Sequence, residues 1–437
     1  MRIIRYDQPD YSRQLRDLLE LLRKGGLTAT GSAGGDVPAV VRDVIADVET
    51  RGDQAVIDLT ARIEKVDLTS QSMRVSAEEI AAAHSSADAD FLDLIGRASR
   101  NIREYQQAIL QHDPPMLRRG GRRLGVRYTP IHRVGVYVPG GQALYPSTVL
   151  MTVIPALVAG VKEVVMVSPP TGADGDIDPM VLALAGELGV AEVYRVSGTA
   201  GVAAMAIGTA TIRPVSKIVG PGNAFIAETK RQVLGRVGID SIAGPSEVLI
   251  VADRTARADW VAADLLAQAE HNPGSAVLVT PEADLARQVQ LELDRQLARL
   301  ERAEAIRMAL ADYSAVVVTE NLPAACRVAN EFATEHLQII TADPEDALSR
   351  IPNAGAVFLG AHTPVPLGDY YAGPSHVLPT GGTAKFFGPL SCNDFLKASS
   401  VVQYDPGSLE EDAADVIDFA TREGLTAHAG AVRIRRE

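Results

Sequence analysis

The hydrophobic and polar positions of this chain follow one pattern in its first third and another from residue 134 onward. In the first third, apolar residues recur at helical spacing near residues 10–25, 37–52 and 54–62. The capping-box spacing Ser76-Ala77-Glu78-Glu79 then precedes a longer helix. One apolar stripe on that helix consists of Phe91, Ile95, Ala98, Ile102 and Tyr105. This part of the chain is therefore predicted to be helical.

From Val134 onward, short β-branched runs alternate with segments of helix length. The runs predicted as strands are 134–138, 163–167, 192–196, 217–219, 248–251, 276–279, 315–318, 337–340 and 356–359. Strands separated by helices form βαβ units and parallel sheets. Because these strands are too many for one comfortable sheet, we expect two, with a break near Ala243-Gly244-Pro245.

The predicted fold class is α/β, with two Rossmann-like, incompletely doubly wound parallel-sheet domains. An N-terminal helical segment would span residues 1–25. The first α/β domain would combine residues 26–133 with 244–385, and the second would span 134–243. Residues 386–437 are predicted to form a C-terminal helical tail, which could fold alone or lie across a partner subunit.

Composition and charge narrow the function classes. The 437 residues are 46% hydrophobic and 22% charged, which predicts a folded chain, and a net charge of −13 argues against a nucleic-acid partner. The longest apolar stretch, 149–161, is too short to span a bilayer and contains Pro155. Met1-Arg2-Ile3-Ile4-Arg5-Tyr6 lacks the apolar run of a signal peptide, and two cysteines give no disulfide framework. We therefore expect a cytoplasmic protein without a membrane partner.

Two Gly-rich turns follow predicted strands. Val219-Gly220-Pro221-Gly222-Asn223-Ala224-Phe225 ends a strand and opens a helix, where backbone N–H groups can hold a phosphate. It is not a full dinucleotide fingerprint, because Phe225 stands where the third glycine would be. Tyr137-Val138-Pro139-Gly140-Gly141 is a similar turn. Together they favour a nucleotide ligand, with ordinary tight turns as the alternative.

Gln268-Ala269-Glu270-His271 ends an amphipathic helix just before the breaker Asn272-Pro273-Gly274. Residues three apart share one helix face, so the Gln268 amide oxygen and a His271 ring nitrogen can converge on one cation. Taken alone, a polar helix end is the more frequent explanation.

Further polar residues downstream support a metal site. Glu335-His336 joins a helix to a strand and suits general acid/base chemistry, while Asp369 and His376 lie in a loop rich in Pro and Gly. Glu423 and His428 lie in the tail. One amide oxygen, one carboxylate and two imidazoles, from Gln268, His271, Asp369 and His428, form a sound zinc shell with room for substrate. Each residue alone also has an ordinary structural explanation.

The chain resembles the histidinol dehydrogenase family over nearly its whole length. The residues that carry the resemblance are Tyr137–Gly141, Val219–Phe225, Ala243-Gly244-Pro245-Ser246-Glu247, Gln268–His271, Glu335-His336-Leu337, Gly368-Asp369-Tyr370 and His376-Val377-Leu378-Pro379-Thr380. The resemblance implies NAD-dependent, zinc-requiring oxidation of L-histidinol to L-histidine through a bound aldehyde, in the last steps of histidine biosynthesis.

Residue roles follow from the same resemblance, position by position. Zinc would be held by Gln268, His271, Asp369 and His428, which would also lie at the substrate. His336 would be the general base and contact substrate, and Glu335 would activate water. Ser246, His376 and Glu423 would contact substrate, and Tyr137 and Asn223 would contact NAD. The family also implies an intertwined homodimer whose tail completes the partner's site.

One segment departs from the family pattern. Ser197-Gly198-Thr199-Ala200-Gly201 stands where the family usually has Gly-Gly-Ala-Gln-Ala, so Ala200 replaces a glutamine that contacts NAD. The alternatives are a zinc and NAD alcohol dehydrogenase of the sulfopropanediol type, a non-enzymatic two-lobed ligand-binding protein, and a zinc hydrolase. A cysteine nucleophile is a rival to the water route, but Cys326 lies on an apolar helix and is interpreted as packing.

Overall fold

The structure is a computed structural model of the chain, and it describes residues 1–28, 36–140, 146–171, 175–271 and 274–436. Two parts of the motifs above lie outside the described residues. They are Gly141 of the first Gly-rich turn and the Asn272-Pro273 pair that follows His271.

Strands and helices alternate along most of the chain. The strands are β1 (Arg2–Arg5), β2 (Leu117–Arg119), β3 (Arg122–Pro130), β4 (Arg133–Tyr137), β5 (Glu163–Ser168), β6 (Glu192–Arg195), β7 (Lys217–Val219), β8 (Gly238–Ile239), β9 (Ser246–Ala252), β10 (Gly274–Thr280), β11 (Ala315–Val318), β12 (His336–Ile340), β13 (Ala356–Leu359) and β14 (Leu396–Gln403). The helices are α1 (Tyr11–Thr28), α2 (Val37–Arg51), α3 (Asp53–Glu64), α4 (Ala77–Ser86), α5 (Ala89–Ile109), α6 (Pro146–Ala159), α7 (Pro179–Glu187), α8 (Gly198–Ile207), α9 (Ala224–Val233), α10 (Ala258–Ala269), α11 (Ala283–Leu297), α12 (Ala303–Asp312), α13 (Leu322–Phe332), α14 (Pro344–Ser349), α15 (Val365–Tyr370), α16 (Pro406–Arg422) and α17 (Thr426–Arg433).

Two separate parallel sheets form the frame of the molecule. The first has six strands in the order β1-β11-β10-β9-β12-β13, and the second has five in the order β6-β5-β4-β7-β8. In each sheet the strand order reverses beside its first long strand, β9 or β4, which is typical of a doubly wound fold. The predicted α/β class and its two parallel sheets are confirmed.

Both sheets are covered by helices on both faces. Along β9, Val248 and Ile250 pack with α10, α11 and α12, whereas Leu249 and Val251 pack with α1, α13 and α14. This alternation follows from the period of two along a strand. The five-stranded sheet packs α5, α6 and α7 on one face and α2, α3, α8 and α9 on the other. Burial on both faces explains why the sequence runs read as continuous apolar strands.

Helices α2 and α3 lie against α8 and α9, on the five-stranded sheet. The predicted division of the chain instead groups residues 26–133 with the six-stranded sheet. The N-terminal segment also departs from a purely helical one, because β1 pairs with β11 in parallel register before α1 begins.

A third, antiparallel sheet of order β14-β3-β2 leads into the C-terminal tail. The predicted helical tail therefore contains an eight-residue strand before its two helices. Arg122 on β3 anchors the tail, because its guanidinium donates to the Asp412 carboxylate of α16 at 2.7 and 2.6 Å. In the part of the chain that the structure describes, no helix is long and apolar enough to cross a membrane.

Candidate active site

One cleft of about 380 Å³ brings together most of the predicted site residues. The predicted residues that line it are Tyr137, Asn223, Ser246, His271, Glu335, His336, Asp369 and His376. Its walls come from both parallel sheets, so the residues predicted for a nucleotide and those predicted for substrate face the same space.

The two sheets meet the cleft with opposite ends of their strands. Tyr137 is the last residue of β4, and the Gly-rich turn follows β7, so the five-stranded sheet contributes carboxyl ends. Ser246 and His336 are the first residues of β9 and β12, so the six-stranded sheet contributes amino ends. The catalytic candidates therefore do not lie at the strand ends where open α/β sheets usually bind ligands.

A buried ion pair holds the Gly-rich turn after β7. Gly220 has φ +125°, and a Cβ there would lie 2.2 Å from the Tyr137 carbonyl oxygen, so only glycine fits. Its N–H donates to the Asp240 carboxylate at 2.8 Å, and its carbonyl accepts from the Lys230 ammonium at 3.0 Å. Lys230 and Asp240 also pair with each other, each side chain being 3% exposed.

Asn223 caps α9 at the wall of the cleft. Its carboxamide oxygen accepts from the N–H groups of Phe225 and Ile226, at 3.0 and 3.2 Å. Since the oxygen is engaged in the cap, the amide NH₂ is the group of Asn223 suited to a ligand. Tyr137 beside it is buried, and this burial raises the pKa of its phenol, which keeps the hydroxyl protonated as a donor.

Glu335 is fixed from the β9 side. Its Oε2 accepts from the Ser246 hydroxyl at 2.7 Å and from the Glu247 N–H at 2.8 Å. The Ser246 oxygen in turn accepts from the Gln268 amide at 2.9 Å. A chain of hydrogen bonds thus connects the end of α10 with the acid at the start of β12. Burial raises the pKa of Glu335 above its usual value, although the bonds from Ser246 and Glu247 and the nearby His336 oppose that rise.

His336 presents Nε2 towards Asp369. Its Nδ1 donates to the Glu247 carbonyl oxygen at 3.0 Å, and since a carbonyl only accepts, Nδ1 carries a hydrogen. Nε2 lies 3.5 Å from the Asp369 carboxylate, and among the described atoms it has no hydrogen-bond partner. Burial alone lowers the pKa of His336, but the adjacent Glu335 and Asp369 carboxylates outweigh it and raise the pKa to about 9.

Asp369 stands among imidazoles. Burial by itself raises its pKa, but His336, His376 and His271 more than offset this, so the pKa lies below the usual value and the carboxyl is ionised. The Asp369 carbonyl also accepts from Nδ1 of His376 at 3.0 Å. Nε2 of His376 is left as an acceptor, 3.4 Å from the Thr148 hydroxyl, and burial lowers the pKa of this ring.

The predicted zinc ligands are only partly assembled within one chain. His271 and Asp369 line the cleft, and Gln268 is buried beside it with its NH₂ directed to Ser246, which leaves the amide oxygen to ligate a cation. These donors fit zinc in chemical type. Across the described ranges, no group of three or more His, Cys, Asp or Glu side chains is arranged to hold a metal ion. The fourth predicted ligand explains this, because His428 lies elsewhere.

Glu423 and His428 do not line the cleft of their own chain. Both are exposed, at the end of α16 and within α17. Ala200 does not line it either, because it is fully buried in the core between α8 and the five-stranded sheet. Cys326 is buried in the helical layer, in agreement with its interpretation as packing.

Three residues of the site had no predicted role. Glu247 contacts both Glu335 and His336, and Lys230 and Asp240 support the Gly-rich turn. An acid at the start of the apolar run 248–252 was a usable signal for Glu247. Nothing in the sequence pairs Lys230 with Asp240, since they become neighbours only through the fold.

Comparison with known proteins gives a consistent result. A family model described as histidinol dehydrogenase matches residues 29–436. The histidinol dehydrogenase of Rhodopirellula baltica is 50% identical over 398 residues, covering 91% of this chain and 86% of that protein. That of Agrobacterium fabrum is 47% identical over 410 residues, covering 94% of both. The crystal structure of histidinol dehydrogenase from Elizabethkingia anophelis matches with a TM-score of 0.91 and 31% identity, over 100% of this chain and 98% of that one. The likeness therefore spans both sheets and the tail.

Proposed function

The chain belongs to the histidinol dehydrogenase family, and from this premise we propose that it oxidises L-histidinol to L-histidine with two NAD, through L-histidinaldehyde. The observation that carries the proposal is the single cleft in which Glu335, His336 and Asp369 face Tyr137 and Asn223. A site of this kind can hold an alcohol and a nucleotide against each other.

We assign zinc to Gln268, His271 and Asp369 of one chain and His428 of a second. When bound, zinc would act as a Lewis acid that fixes the amino and imidazole nitrogens of the substrate, and NAD would accept the hydride. Of the NAD contacts, Asn223 offers its free NH₂ and Tyr137 its protonated hydroxyl, while Ala200 offers nothing to the cleft.

In the first half-reaction, the substrate hydroxyl gives its proton to Nε2 of His336. The carbon that carries this hydroxyl loses a hydride, and the aldehyde forms. The hydrogen bond from Nδ1 to the Glu247 carbonyl keeps Nε2 as the accepting atom. If the Asp369 carboxylate binds a cation, it stabilises a protonated His336 less. This favours the neutral imidazole that the step requires.

In the second half-reaction, a water adds to the aldehyde carbon and gives up a proton to the Glu335 carboxylate. His336, after releasing its first proton to solvent, takes a hydroxyl proton from the hydrate, and the hydrate loses a second hydride, which leaves the carboxylate. Overall, one alcohol and one water yield one carboxylate, two hydrides and three protons. Ser246 and the Glu247 N–H hold the Glu335 carboxylate in place for this step.

The tail supports an intertwined homodimer. Glu423 and His428 are exposed, and the same tail exposes the apolar side chains of Val416, Phe419 and Ile434. Large apolar side chains exposed close together in the chain favour a protein interface. We propose that the tail reaches the cleft of a second copy, where His428 completes the zinc shell and Glu423 contacts substrate.

The remaining assignments belong to the same proposal. Residues 244–385 would carry the zinc and catalytic side chains, and 134–243 the NAD side. The compartment would be the cytoplasm, where the buried thiols of Cys326 and Cys392 stay reduced.

The test is product analysis over a panel of primary alcohols that includes L-histidinol and a sulfopropanediol. The proposal expects NADH formation and L-histidine by mass spectrometry from histidinol, with the sulfopropanediol unreactive. Oxidation of another alcohol without turnover of histidinol would contradict it.

A further inference from the structure

Glu247 touches both catalytic candidates, and the reaction as described gives its side chain no role. It is the second residue of β9, and β9 pairs with β12 so that Val248 lies opposite His336. This register places Glu247 beside the junction between Glu335 and His336. Its side chain is buried, with the whole residue 7% exposed.

The backbone of Glu247 holds the two catalytic side chains. Its N–H donates to the Glu335 carboxylate at 2.8 Å, and its carbonyl accepts from Nδ1 of His336 at 3.0 Å. Any residue could offer these two backbone groups. The Glu247 side chain instead fixes the position of its own N–H and carbonyl groups.

The carboxyl of Glu247 ties that position to two other segments. Its Oε1 accepts from the N–H of Gly381 at 2.8 Å and from the N–H of Glu335 at 3.3 Å. Gly381 has φ +62° and follows Thr380, which lines the cleft and accepts from the Gly244 N–H at 2.5 Å. The carboxyl therefore joins β9, the start of β12 and the turn at residue 381.

Burying one carboxyl next to another costs free energy. If Glu247 only connected these segments, a neutral side chain would do so at lower cost. Burial, and next the nearby Glu335 carboxylate, raise the pKa of Glu247 to about 8. The two carboxyls are held by different donors, because Glu335 accepts from the Ser246 hydroxyl and the Glu247 N–H, whereas Glu247 accepts from the N–H groups of Gly381 and Glu335.

We propose that Glu247 is a positioning residue, whose side chain holds the Glu335 carboxylate and the His336 ring in their reactive arrangement and docks the Gly381 turn beside them. This inference rests on the proposed roles of Glu335 and His336. It does not depend on which alcohol is oxidised.

The test compares Glu247→Ala and Glu247→Gln with the unaltered enzyme, using histidinol or whichever alcohol the unaltered enzyme oxidises in the panel above. The carboxamide oxygen of Gln can accept the same two N–H groups, so E247Q should keep kcat within about threefold. E247A should lose about 10- to 100-fold in kcat with KM for the alcohol within about threefold, because displacement by about 1 Å costs that much in rate.

Asp53→Ala is the matched control. The Asp53 carboxylate likewise joins another segment, by accepting from the N–H and hydroxyl of Thr211 at 3.2 and 2.6 Å, but it lies outside the cleft. D53A should lower the melting temperature and leave kcat unchanged. This control distinguishes the loss of hydrogen bonds between segments from the loss of the catalytic arrangement.

E247A with unaltered kcat, or a crystal structure of E247A with Glu335 and His336 unmoved, would overturn the proposal. Equal impairment of E247Q and E247A would also overturn it, because the accepting oxygen would then not be what matters. If E247A does not fold, Glu247→Asp replaces it, since its shorter side chain withdraws the oxygen. E247D should lose about tenfold in kcat, and E247D with unaltered kcat would reject the role. If the unaltered enzyme does not oxidise histidinol, this result contradicts the proposed substrate and not the role of Glu247.

Discussion

Replacing Lys230 by Met should lower the melting temperature of the protein and raise its KM for NAD. Lys230 and Asp240 form an ion pair with side chains 3% exposed, and together they hold the N–H and the carbonyl of Gly220. Removing one partner of a buried pair leaves a buried charge, which costs about 3–5 kcal/mol. The double variant Lys230→Met/Asp240→Asn buries no charge there, and its Asn oxygen can still accept from Gly220.

The assay is a double-mutant cycle on the melting temperatures of the unaltered protein, K230M, Asp240→Asn and the double variant, combined with steady-state kinetics. At about 2–4 °C per kcal/mol for a domain of 150–250 residues, K230M should melt at least about 6 °C lower. The double variant should recover half of this loss or more, since the stranded charge is gone. KM for NAD should rise in K230M because Gly220 leads into residues 221–224, which line the side of the cleft that we propose holds NAD, and a loss of about 1.4 kcal/mol in binding free energy would be tenfold in KM.

Arg133→Met is the control at the opposite, amino-terminal end of the strands of the same sheet. Arg133 begins β4 and pairs with Glu192, their side chains being 8% and 16% exposed. R133M should lose stability comparably without a change in KM for NAD. Lys230 would have no such role if K230M melted like the unaltered protein, or if R133M raised KM for NAD as much as K230M does.

Four other predictions concern the catalytic side chains. His336→Asn should lower kcat for both oxidations by about 10²–10⁴-fold, measured separately with histidinol and histidinaldehyde; a normal rate for either substrate would contradict the shared base. Glu335→Gln should impair aldehyde oxidation more than alcohol oxidation, and an equal loss in both would argue against a role in water activation. Mixed dimers of His336→Asn and His428→Ala, each inactive alone, should regain about a quarter of the activity on subunit exchange, because half of the dimers are mixed and each holds one intact site; an inactive mixture would mean that the tail serves its own chain. The folded pKa of Glu247, about 8, lies above the usual 4.5, so its stabilisation is complete below about pH 4.5 and is lost as pH rises to 8. Relative to the unaltered protein, E247Q should therefore gain stability between pH 5 and 8, by up to about 1.4 kcal/mol per pH unit, and its melting temperature should rise accordingly. A difference in melting temperature that stays constant with pH would show that Glu247 does not change its protonation on unfolding.

All strands of the two parallel sheets except β1 and β8 could be predicted, because they are largely buried between helices and therefore read as apolar runs. Strand β14 could not, since most of its residues are exposed and it pairs with the long, partly exposed β3. Strand β1 is too short to stand out, with Ile4 as its one fully buried residue. Exposed or very short strands leave little hydrophobic pattern.

The site could be predicted where chemistry is local in the chain. The Gln268 and His271 spacing and the Glu335-His336 pair are readable, because neighbours in sequence stay neighbours in space. The meeting of carboxyl ends from one sheet with amino ends from the other could not be read from sequence, since it depends on how two sheets pack. The proposed place of His428 is the cleft of a second chain, and no single sequence pattern specifies such a placement.

The most direct test of the account is the NADH yield per L-histidinol consumed, measured with zinc content per subunit before and after chelation, alongside a His271→Ala variant. We predict two NADH per histidinol, with turnover that is lost when zinc is removed and restored when zinc is returned. The H271A variant should neither retain zinc nor oxidise histidinol. One NADH per histidinol, or full turnover in zinc-free enzyme, would contradict these predictions.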